Sequence, residues 1–125
     1  MAMDSGATES VVGEEMLTSV ELREGEAYKR GVRYEVADGT LIPNKGEKRF
    51  VGINENGQER SMTVQVCEVN KALLSVKKVV KAGNRVVFEE AGSYVEDVSS
   101  GERLYMNEAE GGMYTLKFWV KRAPF

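Results

Sequence analysis

Three turn signals, Asp38-Gly39, Asn56-Gly57 and Ser99-Ser100-Gly101, punctuate this chain, and short runs of Val, Ile, Thr, Tyr and Phe flank each of them. Asp or Asn followed by Gly tolerates the positive φ angles of a tight hairpin turn, and a slightly longer Gly-containing turn does the same work. β-branched and aromatic side chains suit a pleated, half-buried surface. The pattern therefore predicts three hairpins and an all-β fold class, mainly β with one short helix. The candidate strands are Glu9–Val12, Val32–Ala37, Thr40–Pro43, Lys48–Asn54, Glu59–Val69, Arg85–Glu89, Ser93–Asp97, Arg103–Asn107 and Met113–Val120.

Within the fifth of these, Met62, Val64 and Val66 alternate with Thr63, Gln65 and Cys67, a period of two that puts one set in a core and leaves open which. The exception to the β pattern is Leu73–Ala82. Its apolar residues Leu73, Val76, Val79 and Val80 share one helical face, Lys77, Lys78 and Lys81 fall on the other, and Gly83-Asn84 closes the run. These lysines read as a solvated helix face. Residues Ser19–Arg30, dense in charge, read as an exposed connection. No repeat or low-complexity tract interrupts the 125 residues, which fit a single domain over 1–125.

Composition narrows the chemistry. A hydrophobic fraction of 42% beside 30% charged residues is too apolar for disorder and too polar for a bilayer. The apolar runs are short and no basic-then-apolar leader opens the chain, so no membrane partner and a cytoplasmic, intracellular location are expected. A net charge of −3 with interspersed signs gives no phosphate-neutralising surface, so nucleic acid is not an expected partner. With no histidine and only Cys67, one chain cannot build a Ser-His-Asp or Cys-His nucleophile or a His- or Cys-rich zinc site. Cys67 itself reads as a buried small hydrophobe. Carboxylate chemistry remains, since no lysine stands in a spacing that suggests a Schiff base.

Asp4-Ser5-Gly6-Ala7 is where that chemistry concentrates. Gly6 permits a tight turn and close backbone approach, Ser5 can hydrogen-bond locally, and Ala7 adds no bulk, so Asp4 is presented at a loop tip. One carboxylate activates water poorly. Two within a hydrogen bond of each other share a proton, one acting as base and the other as acid. No second Asp-Ser/Thr-Gly occurs in the chain, so a symmetric pair requires a twofold homodimer that sets Asp4 against Asp4.

The ordered series Asp4-Ser5-Gly6-Ala7-Thr8, Ala37-Asp38-Gly39-Thr40, Asn70-Lys71-Ala72-Leu73-Leu74-Ser75-Val76, Val86-Val87-Phe88 and Gly111-Gly112-Met113-Tyr114 resembles the protease segment of Copia-type retrotransposon polyproteins. The resemblance covers nearly the whole chain. It implies a retropepsin-like acid-protease half-barrel that dimerises to hydrolyse peptide bonds of a polyprotein substrate, with no metal or organic cofactor. Asp4 would be the catalytic aspartate, Ser5 would bond across the dimer, and Gly6, Ala7 and Thr8 would complete the active-site loop. Ala37, Asp38, Gly39 and Thr40 would form the flap over bound peptide. Leu73 and Leu74 would support the loop and lead into the short helix. Such domains place one or two strands before the catalytic loop, where only Met1-Ala2-Met3 stand here, and Arg85 to Phe125 exceed the single terminal strand of short retroviral proteases.

Plainer readings accompany these. Asp4-Ser5-Gly6 could be an ordinary Asx turn, and Asp38-Gly39 a hairpin turn and nothing more. A catalytically inactive peptide-binding or dimerisation module keeps the fold without the chemistry. Tyr114, Leu116, Phe118 and Val120 would form one apolar strand face with Trp119 on the other, which points to a contact beyond the local core.

Overall fold

A computed structural model describes residues Met1 to Lys121. The elements run β1 (Ala2–Asp4), β2 (Val11–Val12), α1 (Glu26–Lys29), β3 (Arg33–Glu35), β4 (Leu41–Pro43), β5 (Gly46–Asn54), β6 (Glu59–Val66) and β7 (Leu73–Ser75). They continue with α2 (Val76–Lys81), β8 (Asn84–Val87), β9 (Tyr94–Asp97), β10 (Arg103–Tyr105), β11 (Asn107–Glu108), β12 (Tyr114–Thr115) and β13 (Phe118–Val120). The chain is mainly β, as its turn chemistry predicts. None of the described helices is long and apolar enough to cross a membrane.

The three expected hairpins form. β5 and β6 are joined through Asn56-Gly57, β3 and β4 through Asp38-Gly39, and β9 and β10 through Ser99-Ser100-Gly101. The three turn glycines take φ of +78°, +85° and +75°, the left-handed region that side chains disfavour. An eight-stranded sheet runs in the order β11-β12-β1-β7-β2-β6-β5-β13, beside a three-stranded sheet β10-β9-β8 and the separate pair β3-β4.

Along β6 the even positions hold the core: Val64 and Val66 are fully buried and pack with Val12, Met16, Leu17 and Phe50. A second cluster joins Met3, Leu74, Val95, Met106 and Leu116, so it spans both larger sheets. Cys67 is buried, and burial pushes its thiol upward in pKa.

Several boundaries differ from expectation. Leu73–Ala82 is not one helix: Leu73–Ser75 is strand β7, pairing with β1, and the helix starts only at Val76. Strand pairing to β1 and burial of Leu74 outweigh the helical spacing of Leu73. Val76 and Val79 pack on the core, whereas Val80 is exposed. Among the described residues there are two short helices, not one, because a single turn forms at Glu26–Lys29 inside the connection Ser19–Arg30. Ala2–Asp4 is a strand within the sheet, between β12 and β7. The expected strand Glu59–Val69 stops at Val66.

Arg103–Asn107 and Met113–Val120 each divide. Met106 separates β10 from β11 where the chain passes from the smaller to the larger sheet, and its buried side chain occupies the second core cluster. Leu116, 3% exposed, turns into the same cluster between β12 and β13. Of the long tail Arg85 to Phe125, residues 122–125 lie outside the described residues. β12 pairs with β1, so part of this tail borders the strand that carries Asp4.

Candidate active site

Asp4 is the last residue of β1, which runs parallel to β7 in the register Ala2↔Leu73, Met3↔Leu74 and Asp4↔Ser75. Parallel pairing brings two segments some seventy positions apart in sequence side by side. It explains how Leu74, 6% exposed, backs the Asp4 strand by packing with Met3. Leu73 is only half-buried and also pairs with Val11 of β2. Leu73 and Leu74, expected to support the loop, are the strand neighbours of Ala2 and Met3.

Beyond Asp4 the chain turns sharply. The Gly6 N–H donates to Asp4 Oδ1 at 2.8 Å, and a Cβ on Gly6 would come within 3.3 Å of that oxygen. Ser5, Gly6 and Thr8 are exposed, while Asp4 and Ala7 are half-buried. The turn ends in a clamp centred on Ser75, which is fully buried. Its hydroxyl donates to the Ala7 carbonyl at 2.7 Å and accepts the Lys78 N–H at 3.2 Å, capping α2. Its own N–H donates to Ser10 Oγ at 3.0 Å. Outside the clamp, Lys78 pairs with Glu9 at 3.2 Å, both partly exposed. Ser75 escaped the sequence reading as a site residue, although a serine directly before a valine-rich helical run is a readable N-cap signal.

The hairpin Ala37 to Thr40 is a solvent-exposed tip closed by its own bonds. The Val36 N–H donates to Thr40 O and the Gly39 N–H to Val36 O, both at 2.9 Å. The Thr40 hydroxyl and N–H hold the Asp38 carboxyl below its ordinary pKa, with the N–H donating to Oδ1 at 2.8 Å. At the hairpin's base sits Asn44, 5% exposed. Its side-chain amide donates to Tyr34 Oη at 3.0 Å and to Gln65 Oε1 at 2.9 Å, and its Oδ1 accepts the Gly46 N–H at 2.8 Å. Burial raises the Tyr34 pKa, partly offset by the Asn44 bond, and the Glu9 carboxylate adds to the rise. Neither Asn44 nor Gln65 was singled out from sequence, because a polar residue in a strand ordinarily marks its solvent face.

The structure thus brings Asp4, Ala7, Leu73 and Leu74 together. Among the described residues, no hydrogen bond or ion pair links the hairpin tip 37–40 directly to residues 4–8. A cleft of ≈ 210 Å³ opens between β6, α2 and the three-stranded sheet, with Met62, Val79, Leu104 and Phe118 among its walls and Ser10 and Leu74 shared with the support of the Asp4 loop. Asp4 and the hairpin tip do not line it. Two carboxylates, Asp97 and Glu102, line that cleft, whereas Asp4, the carboxylate expected from the sequence motif, lies outside it. No protein-family model, curated protein or solved structure matches the chain.

Proposed function

We propose that this chain is one half of a homodimeric aspartic endopeptidase, a retropepsin-like half-barrel that processes a retroelement polyprotein in the cytoplasm. The observation that carries the reading is Asp4 at the tip of β1, followed by a Gly6-dependent turn that hangs from the buried Ser75. A rigid strand–turn of this kind suits a carboxylate that must hold its position against a second copy of itself.

In the dimer the two Asp4 carboxylates, a hydrogen bond apart, share one proton. The ionised member accepts a proton from water as its oxygen attacks the scissile carbonyl carbon, and the protonated member donates to the carbonyl oxygen. Collapse of the tetrahedral intermediate breaks the C–N bond: a dyad proton passes to the leaving amine, while one hydroxyl of the intermediate returns its proton to the dyad as it becomes the new carbonyl. The Ala37-Asp38-Gly39-Thr40 hairpin closes over the peptide and excludes water.

The test is cleavage of polyprotein-derived peptides at mildly acidic pH, together with sedimentation. A dimer whose activity disappears in Asp4→Asn and is blocked by a pepstatin-like inhibitor supports the reading. Cleavage that survives Asp4→Asn would sink it.

A second reading, an inactive peptide-binding or dimerisation module, draws on two features that do not include Asp4. One is the ≈ 210 Å³ cleft, and the other is Trp119, 55% exposed on the terminal strand of the large sheet. This reading requires peptide binding or dimerisation that persists unchanged in Asp4→Asn, with no hydrolysis by the parent chain.

A further inference from the structure

Gln65 occupies an unusual place on β6. Its neighbours Val64 and Val66 face the apolar core, so its side chain leaves the opposite face of the strand, yet Gln65 is only 9% exposed. What covers it is the base of the β3–β4 hairpin. Asn44 Nδ2 donates to Gln65 Oε1 at 2.9 Å and to Tyr34 Oη at 3.0 Å, so one amide group bridges β3 to β6. The backbone of the same glutamine serves the other half of the site. Its N–H donates to the Ser10 carbonyl at 2.8 Å, and Ser10 Oγ receives the N–H of Ser75, which holds Ala7.

We propose that Gln65 is the positioning residue that fixes the β3–β4 hairpin relative to the Asp4 loop, through Asn44 on one side and Ser10 on the other. This rests on the endopeptidase reading for its consequence, though not for its geometry. The two attachments are chemically separable. Replacing the side chain removes the hairpin's side-chain anchor alone, because the backbone bond to Ser10 and the Lys45 N–H bond to the Val66 carbonyl at 2.7 Å remain. The Asn44 amide then loses one of its two acceptors in a buried position, and the hairpin base gains freedom. Peptide that must be gripped by the hairpin binds less well, whereas an Asp4 loop still held by Ser75 and Ser10 keeps its chemistry.

The test compares Gln65→Met, close in size but without an acceptor, with Gln65→Glu, which keeps one. Tyr34→Phe serves as a second variant that loosens the same knot from the hairpin side. Amide exchange of Val36 and Gly39 is read beside that of Gly57 in the unrelated β5–β6 turn, and KM and kcat are measured on a cleavable peptide. In Gln65→Met and Tyr34→Phe, exchange at Val36 and Gly39 should rise about tenfold with Gly57 unchanged. KM should rise about tenfold with kcat within about twofold, as expected when binding alone is lost. Gln65→Glu should restore both. Unchanged exchange at Val36 and Gly39 in the two loosening variants overturns the anchor, and a fall confined to kcat overturns its role in binding. If the parent chain cleaves no peptide while the exchange pattern appears, the endopeptidase reading fails and the anchor stands.

Discussion

The buried hydroxyl of Ser75 donates to the Ala7 carbonyl at 2.7 Å, tying the turn after Asp4 to the first residue before α2. One oxygen thereby has two tasks. It closes the Asp4 loop, and by accepting the Lys78 N–H it starts the helix. A helix of six residues with several valines has little intrinsic stability, so its start depends on this cap.

Ser75→Ala leaves the Ala7 carbonyl and the Lys78 N–H without their partner. Loss of a cap and of a buried hydrogen bond together should cost about 2 kcal/mol, read as a lower urea midpoint with an unchanged slope. Peptide cleavage should fall through kcat, in contrast to the KM effect expected at Gln65. Equal urea midpoints for Ser75→Ala and the parent would show that the clamp contributes no stability.

Two glycines separate conformational strain from steric exclusion. Gly39 takes φ +85° at the hairpin tip with open space around it, so Gly39→Ala meets only the left-handed backbone penalty, about 1 kcal/mol. Gly46 takes φ +135°, and a Cβ there would lie 2.6 Å from the Arg23 carbonyl oxygen. Backbone cannot step aside as a side-chain tip can, so Gly46→Ala should cost about 3 kcal/mol. Thermal denaturation of the two variants checks the order, and a Gly39→Ala loss equal to that of Gly46→Ala would refute it.

The hairpins were legible because their requirement is local: Asp38-Gly39 and Asn56-Gly57 carry the positive-φ residue within the turn itself. β1 and β7 were not, because each has three residues and becomes a strand only by pairing with segments far away in sequence, as Asp4 does with Ser75. Leu73 also continues the spacing of Val76 and Val79, which hid the boundary that Ser75 marks. At the site, Asp4-Ser5-Gly6 was legible as a tight turn, which the Gly6 N–H closes on Asp4 Oδ1. Ser75 was readable as a cap but not as a clamp, since its bond to Ala7 depends on tertiary placement. Gln65 and Asn44 were illegible for a related reason: each looks like a solvent-facing polar residue until the other covers it.

The parity of β6 gives a test of the core. Val64 is fully buried, whereas Thr63 beside it is exposed. Val64→Ala should lose about 2 kcal/mol from the removed methyl groups and the cavity they leave. Thr63→Ala should stay within about 0.5 kcal/mol. Guanidinium unfolding of both variants decides the matter, and a larger loss at Thr63 would reverse the assigned face.

Acid should loosen the hairpin tip at a pH set by Asp38. The Thr40 hydroxyl and N–H depress the folded-state pKa of Asp38 below its ordinary value of 3.8, while the unfolded chain keeps that ordinary value. A depressed carboxyl contributes stability that is fully present above the unfolded value and is lost as pH falls through the folded one. The turn should therefore hold at pH 5 and open only below 3.8. Because Asp38 is fully exposed, the effect should stay local and leave global unfolding almost unchanged. Carboxyl-detected NMR titration should place the Asp38 midpoint below 3.8, and Thr40→Val, which removes the hydroxyl, should move it upward. A midpoint at or above 3.8 in the parent chain would mean that Thr40 does not hold the carboxylate in solution.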